Sequence, residues 1–180
     1  MNISSQGDNI MALTVSEFSP YIESLYMQTV DGQGNGVFTS QRFHKGDLVL
    51  FFGGEKILAD GIGDFTHYLQ IAPDLYLGPS GNFDDYVNHN CDPNCAVYFD
   101  EEHVFLKAIK DIFPGEQLSL DYGTIQFNEP TVINCECGSK NCRKIVSNFY
   151  AMPKRIQKRY LSFGLVPLLT RYTKEELGFI

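Results

Sequence analysis

Asn88-His89-Asn90-Cys91-Asp92-Pro93-Asn94-Cys95 decides how the rest of the chain is read. Asparagine side chains, an imidazole and two thiols crowd into a few positions ending in a proline-bearing turn, with apolar Tyr86 and Val87 just before it. Polar groups this dense beside apolar ones suggest a buried hydrogen-bonded network. Composition alone allows an ordinary Asx-rich loop as well. Two later segments bear on the choice.

The first is Cys135-Glu136-Cys137-Gly138-Ser139-Lys140-Asn141-Cys142. Three thiols this close cannot all pair with one another as disulfides. Cys-x-Cys-x4-Cys with a glycine in the loop lets thiolates wrap one tetrahedral Zn2+. A fourth ligand must come from elsewhere, and Cys91 or Cys95 is the obvious source. The chain has five cysteines, an odd number. Met1 to Met11 is polar, carries Asp8 and lacks the basic start and apolar core of a secretory signal. Clustered thiols in such a chain favour metal over disulfides. The second segment is Gly115-Glu116-Gln117-Leu118-Ser119-Leu120-Asp121-Tyr122-Gly123. By itself it reads as a hairpin ending in a tyrosine.

Taken together, in order and at these distances, the three segments resemble the signature of the SET domain family of protein lysine methyltransferases. Asn88 to Asn94 is similar to the family's Asn-His-Ser-Cys-x-Pro-Asn run, and Gly115 to Tyr122 to its Gly-Glu-Glu-Leu-Thr-Phe-Asp-Tyr run. Cys135 to Cys142, followed by Arg143, resembles the post-SET zinc motif. Gly34-Asn35-Gly36 matches the early Gly-x-Gly, and Phe52-Gly53-Gly54-Glu55 resembles the Tyr-x-Gly-Glu that follows it. The resemblance spans about residues 24 to 145.

It implies a mainly β (α+β) fold of small curved sheets with a pseudoknot, a threading that general topology rules argue against. It implies transfer of a methyl group from S-adenosylmethionine to a lysine side chain of a basic protein or peptide. Gly34, Asn35 and Gly36 would bring backbone close to the cofactor, as glycine permits. Asn88 and His89 would hold its amine and adenine parts, and Tyr68 would contact it. Tyr122 would be the catalytic tyrosine beside the transferring methyl. Zinc would be held by Cys91, Cys135, Cys137 and Cys142, leaving Cys95 as the odd thiol. The metal would staple the C-terminal segment beside the Asn-His loop.

Four positions depart from the family pattern. Phe52 stands where a tyrosine is frequent, which removes a hydroxyl from the substrate channel. Leu120 stands where Phe or Tyr tunes the number of methyls, and it offers no hydroxyl to hold a water, so di- or trimethylation is expected to be possible. Asp85 replaces a frequent Arg, and Asn90 a Ser. Phe52 and Asp85 best support the alternative, a non-enzymatic, zinc-stabilised module that binds basic peptides.

The net charge of −8 hides an asymmetry. Residues 1–139 carry 5 Lys/Arg against 20 Asp/Glu, or −15, and residues 140–180 carry 9 against 2, or +7. The acidic body favours basic partners over nucleic acid. The basic tail is expected to pack on that body rather than on phosphate. No run approaches the roughly 20 apolar residues of a spanning helix, so a nuclear or cytoplasmic setting that keeps thiols reduced is expected.

Strand formers mark 24–30, 37–39, 48–52, 67–71, 75–77, 103–109 and 117–122, with turns at Asp31–Gly36, Lys45-Gly46 and Pro114-Gly115. Phe43-His44-Lys45-Gly46-Asp47 and Ile112-Phe113-Pro114-Gly115-Glu116 read as two hairpins sharing one turn chemistry. Helical signal is confined to Lys154–Phe163 and to 173–177 with Thr173 as N-cap. The expected organisation is a leader and first packing segment over 1–23, the SET domain over 24–128, the zinc segment over 129–148 and a helical extension over 149–180. Oligomeric state is not written in the sequence.

Overall fold

Phe43 and Ile112 lie at the centre of the chain's organisation. Each donates its backbone N–H to the other's carbonyl at 2.9 Å, and both are buried. The look-alike turns that follow them share their chemistry. Gly46 (φ 100°) and Gly115 (φ 86°) adopt the left-handed backbone these turns require. An acid closes each one, Asp47 accepting from His44 N–H at 2.7 Å and Glu116 from Phe113 N–H at 2.8 Å. They are not hairpins, because the strands beyond them pair elsewhere and the two segments bridge to each other.

The computed structural model describes residues 21–127, 133–173 and 175–177. Within them lie small sheets. Strands β1 (Leu25–Val30) and β2 (Gly34–Thr39) pair antiparallel. A second sheet has the order β3 (Leu48–Phe52), β9 (Val104–Ala108), β8 (Cys95–Phe99). A third runs β4 (Lys56–Leu58), β6 (Leu75–Leu77), β5 (Leu69–Ala72). Two-residue strands β7 (Asn88–His89) and β10 (Ser119–Leu120) pair in parallel. That short pairing sets the Asn-His segment beside the segment that leads into Tyr122. Strands β11 (Ile133–Asn134) and β12 (Ile145–Val146) bracket the cysteine loop. The mainly β class with short helices at the C-terminal end is the expected one.

The differences from the sequence reading are local. Gly34, Asn35 and Gly36 belong to β2 and not to the turn, which is only Asp31–Gln33. They pair with Val30, Thr29 and Gln28, so the cross-strand ladder overrides their turn propensity. The 117–122 run supplies only Ser119–Leu120 as strand, and Tyr122–Thr124 is a 3-10 turn capped by Asp121. His67 is outside β5 with φ 66°. The helix α1 (Lys154–Ser162) falls where expected, but the second, α2, is Pro167–Arg171, with proline pre-set for the first helical turn. Thr173 caps as expected, exchanging bonds with Glu176 at 2.7 and 3.2 Å, although 175–177 form only a turn. Of the leader and first packing segment over 1–23, residues 1–20 lie outside the described residues.

Val37, Val49, Leu106, Ile112 and Leu118 fill the centre of the main core. Phe127, Phe149, Ile156, Tyr160, Leu165 and Leu168 form a second cluster against Ala96, Tyr98 and Phe99 of β8. Each large apolar side chain buried there contributes about 1.5–3 kcal/mol. The half-exposed Arg159–Asp92 pair, at 3.6 Å, is worth about 1 kcal/mol at most. The basic C-terminal segment thus packs on the acidic body as expected, but apolar contact holds it there more than charge does.

Candidate functional site

A cavity of about 540 Å³ opens between β2, the 64–68 loop, the 83–86 turn and the Tyr122 turn. Its wall contains Gly34, Asn35, Phe52, Tyr68, Asn88, Leu120 and Tyr122, gathered from segments far apart in sequence. Leu120 is 2% exposed and forms wall and core at once. A side chain at Gly34 (φ 73°) would meet nothing within 4 Å, so backbone there is open to a ligand. Gly36 serves packing instead. A Cβ there would fall 2.5 Å from Gln117 Nε2 and 3.0 Å from Asn88 Nδ2. Asn88 Nδ2 donates to Asn35 O at 2.9 Å, tying the glycine strand to β7.

Tyr122 donates its hydroxyl proton to Val87 O at 3.1 Å. Burial pushes its pKa up to about 12, so the phenol is neutral at ordinary pH and does not act as a base. With its proton committed to Val87, the oxygen has lone pairs left to accept a donor from the cavity.

His89 does not line the cavity with its ring. Tyr122 N–H donates to His89 Nδ1 at 3.2 Å, so the ring proton sits on Nε2, which lies 3.3 Å from Cys91 Sγ. Burial lowers the His89 pKa to about 4, the Asp121 charge opposing and the Arg143 charge assisting. The ring is neutral, and its 3.5 Å approach to Asp121 is not an ion pair. Any ligand contact of His89 would therefore be through its backbone. The side chain instead connects Tyr122 to the thiol cluster.

The Sγ atoms of Cys91, Cys135, Cys137 and Cys142 all lie within 4.8 Å of one another. Cys91 and Cys135 are 3.7 Å apart, against about 3.8 Å for neighbouring sulfurs around a tetrahedral zinc with Zn–S near 2.3 Å. Backbone N–H groups of Arg143 and Lys144 point at Cys91 Sγ and Cys142 Sγ at 3.3 and 3.4 Å, which suits thiolates. Burial, helped by the neighbouring thiols, raises the thiol pKa of Cys91 and Cys135, and a divalent cation at the centre would reverse that balance. The four residues fit one zinc ion. Cys95 is fully buried on β8, its pKa pushed up to about 12 by burial, an inert thiol outside the cluster.

Asp85 belongs to the cavity lining, and its carboxylate caps a turn, accepting from Ser80 N–H at 3.0 Å and Gly81 N–H at 2.7 Å. Its carbonyl faces His67 Nδ1 at 2.6 Å, which secures the loop over the cavity. Asp84 accepts from Gly53 N–H at 2.9 Å, and burial raises its pKa. Sequence reading missed Asp121. Its carboxylate, 1% exposed, takes both arms of the Arg143 fork at 2.7 Å and the Tyr160 hydroxyl at 2.7 Å. Only its place beside Tyr122 hinted at a role. Nothing in sequence linked it to Tyr160.

Small sheets, a parallel Asn-His/Ser-Leu pairing beside a cavity tyrosine, and a four-thiol cluster define one class of domain. The SET domain family matches residues 34–123, half of the chain, and the chain belongs to that family. It is 29% identical over 130 residues to the histone-lysine N-methyltransferase trithorax of Drosophila virilis, covering 63% of this chain and 3% of that protein. It is 30% identical over 139 residues to the histone-lysine N-methyltransferase trr of Drosophila melanogaster, covering 67% of this chain and 6% of that protein. The chain thus corresponds to a small part of these relatives. In structure it resembles KRYPTONITE, solved in complex with mCHG DNA and SAH, with a TM-score of 0.59 and 25% identity over 68% of this chain and 28% of that one. Among the described residues, no helix is long and apolar enough to cross a membrane.

Proposed function

We propose that the chain methylates lysine side chains of a basic protein, such as a histone or another Lys-rich protein, using S-adenosylmethionine. The observation that carries this reading is the single cavity that joins the open backbone of Gly34 and Asn35 to the Tyr122 hydroxyl. Relatives named histone-lysine methyltransferases support it. So does a structural neighbour solved with SAH.

When bound, S-adenosylmethionine supplies a methyl group on a sulfonium sulfur, open to direct displacement by an amine. Gly34, Asn35, Tyr68 and Asn88 are the residues proposed to hold it. A lysine ammonium titrates near ~10.4 in water and must first give up a proton to the solvent. Phe52, Leu120 and Ile125 wall the cavity and withhold the solvation that keeps it charged. Tyr122 would accept a hydrogen bond from the neutral amine, which leaves the nitrogen lone pair free for the methyl group. Catalysis then comes from placement and desolvation. Cys91, Cys135, Cys137 and Cys142 would hold a zinc ion, which would tie the 133–146 segment to Cys91 beside the cavity. The acidic body draws in the basic substrate.

Calorimetry with S-adenosylmethionine tests the reading. Saturable binding that weakens in Asn88→Ala supports it. Binding of a basic peptide without cofactor binding would favour a non-enzymatic module.

A further inference from the structure

The C-terminal helix reaches the Tyr122 turn, although it lies outside the stretch that matches the SET domain. Building on the methyl-transfer reading, we propose that Tyr160 of α1 is a positioning residue for Tyr122, acting through the Asp121 carboxylate, and that the same carboxylate couples α1 to the zinc loop. Asp121 receives donors from three parts of the chain. Tyr160 gives its hydroxyl to Oδ2, Arg143 gives one arm to each oxygen, and Gly123 N–H reaches Oδ1 at 3.2 Å. The Asp121 carbonyl accepts from Thr124 N–H at 2.9 Å and from its hydroxyl at 2.7 Å, which closes the turn around Tyr122. The next peptide N–H, that of Tyr122, is held on His89. Asp121 thus sets the plane from which the Tyr122 side chain leaves.

Two further contacts show that residues beyond the SET match, from the zinc segment and the extension, clamp this turn. A Cβ on Gly123 would collide with Met152 and with Ser147 O, so residues past the zinc loop lie directly against it. The residue that forks Asp121, Arg143, also sends its backbone N–H to Cys91 Sγ at 3.3 Å. The Arg143 fork fixes both oxygens to the zinc loop. The Tyr160 hydroxyl is what fixes the carboxylate to α1. Removing that hydroxyl leaves the ring, 3% exposed, in its packed place. The carboxylate then follows the zinc loop alone.

The test uses the zinc-loaded full chain and Tyr160→Phe. Expected are a fall in kcat of about tenfold, a KM for S-adenosylmethionine within about twofold of the parent, an unchanged zinc content and faster zinc release to a chelator. In an Asp121→Ala background, adding Tyr160→Phe changes kcat by less than about twofold, because the acceptor of its hydroxyl is gone. An unchanged kcat in Tyr160→Phe overturns the proposal. So does a fall in kcat that comes only with lost zinc and a matching loss of thermal midpoint, which marks plain core packing. If the parent transfers no methyl, the methyl-transfer reading fails first. Zinc release then judges the coupling, and an unchanged rate in Tyr160→Phe overturns it.

Discussion

Arg143→Ala separates a buried ion pair from an exposed one within the same molecule. The Arg143 and Asp121 side chains are 10% and 0% exposed, and their two bonds are 2.7 Å long. Burial alone would lower the Arg143 pKa, but hydrogen bonding and the charge of Asp121 outweigh it and raise it, so the guanidinium stays charged. Deleting the guanidinium leaves a buried carboxylate with Tyr160 and Gly123 as donors and no counter-charge. Breaking such a pair from one side costs about 3–5 kcal/mol, a large share of the roughly 5–15 kcal/mol that holds a domain together. The control is Arg42–Asp111, shorter at 2.6 Å but 47% and 41% exposed. Arg42→Ala costs about 1 kcal/mol, its contact with the Phe113 ring included. Urea unfolding of the zinc-saturated proteins, with equal m-values, reads both. Arg143→Lys keeps the charge but loses the fork, and falls between parent and Ala. If Arg143→Ala loses no more than Arg42→Ala, burial of the pair is not what gives it weight, and the reasoning fails.

Zinc content distinguishes the cysteines: Cys91→Ser abolishes stoichiometric zinc by elemental analysis, whereas Cys95→Ser retains it. Tyr122→Phe, by misplacing the amine, lowers transfer by about a hundredfold while calorimetric affinity for S-adenosylmethionine stays within about twofold. Because the folded-state pKa of Tyr122 is raised by burial, its contribution to stability is full below about pH 10 and is lost as pH rises toward 12. The rate accordingly climbs through the alkaline range as substrate amine deprotonates, with no downturn from Tyr122 below that window in a pH–rate profile. Leu120→Tyr places a hydroxyl in the cavity wall and shifts products toward monomethyl-lysine by mass spectrometry. Unchanged product ratios would remove Leu120 from that role.

Local chemistry was legible and long-range pairing was not. The Cys-x-Cys-x4-Cys spacing pointed to a metal, and the choice of Cys91 over Cys95 agrees with the 4.8 Å cluster. The turn glycines Gly46 and Gly115 announced themselves because positive φ is a local demand. Gly34-Asn35-Gly36 read as a turn, since nothing in those residues reveals that Gln28, Thr29 and Val30 pair with them. His89 was read as a ligand contact. Its actual bonds to Cys91 and Tyr122 depend on β7 lying beside β10, a register set by the whole core. Tyr160 was invisible as a site residue because a helix-face tyrosine meets its buried partner only through tertiary packing. Asp85 stood out in the sequence only as a replacement for a frequent Arg, and its carboxylate serves the backbone of Ser80 and Gly81.

The central claim is transfer of a methyl group to lysine through Tyr122. Its most direct test is incubation of the zinc-loaded chain with methyl-deuterated S-adenosylmethionine and a mixture of basic proteins, read by mass spectrometry beside Tyr122→Phe. The account predicts deuterated methyl groups on lysine side chains with the parent and a large loss of them with Tyr122→Phe. No label above the Tyr122→Phe control would contradict it.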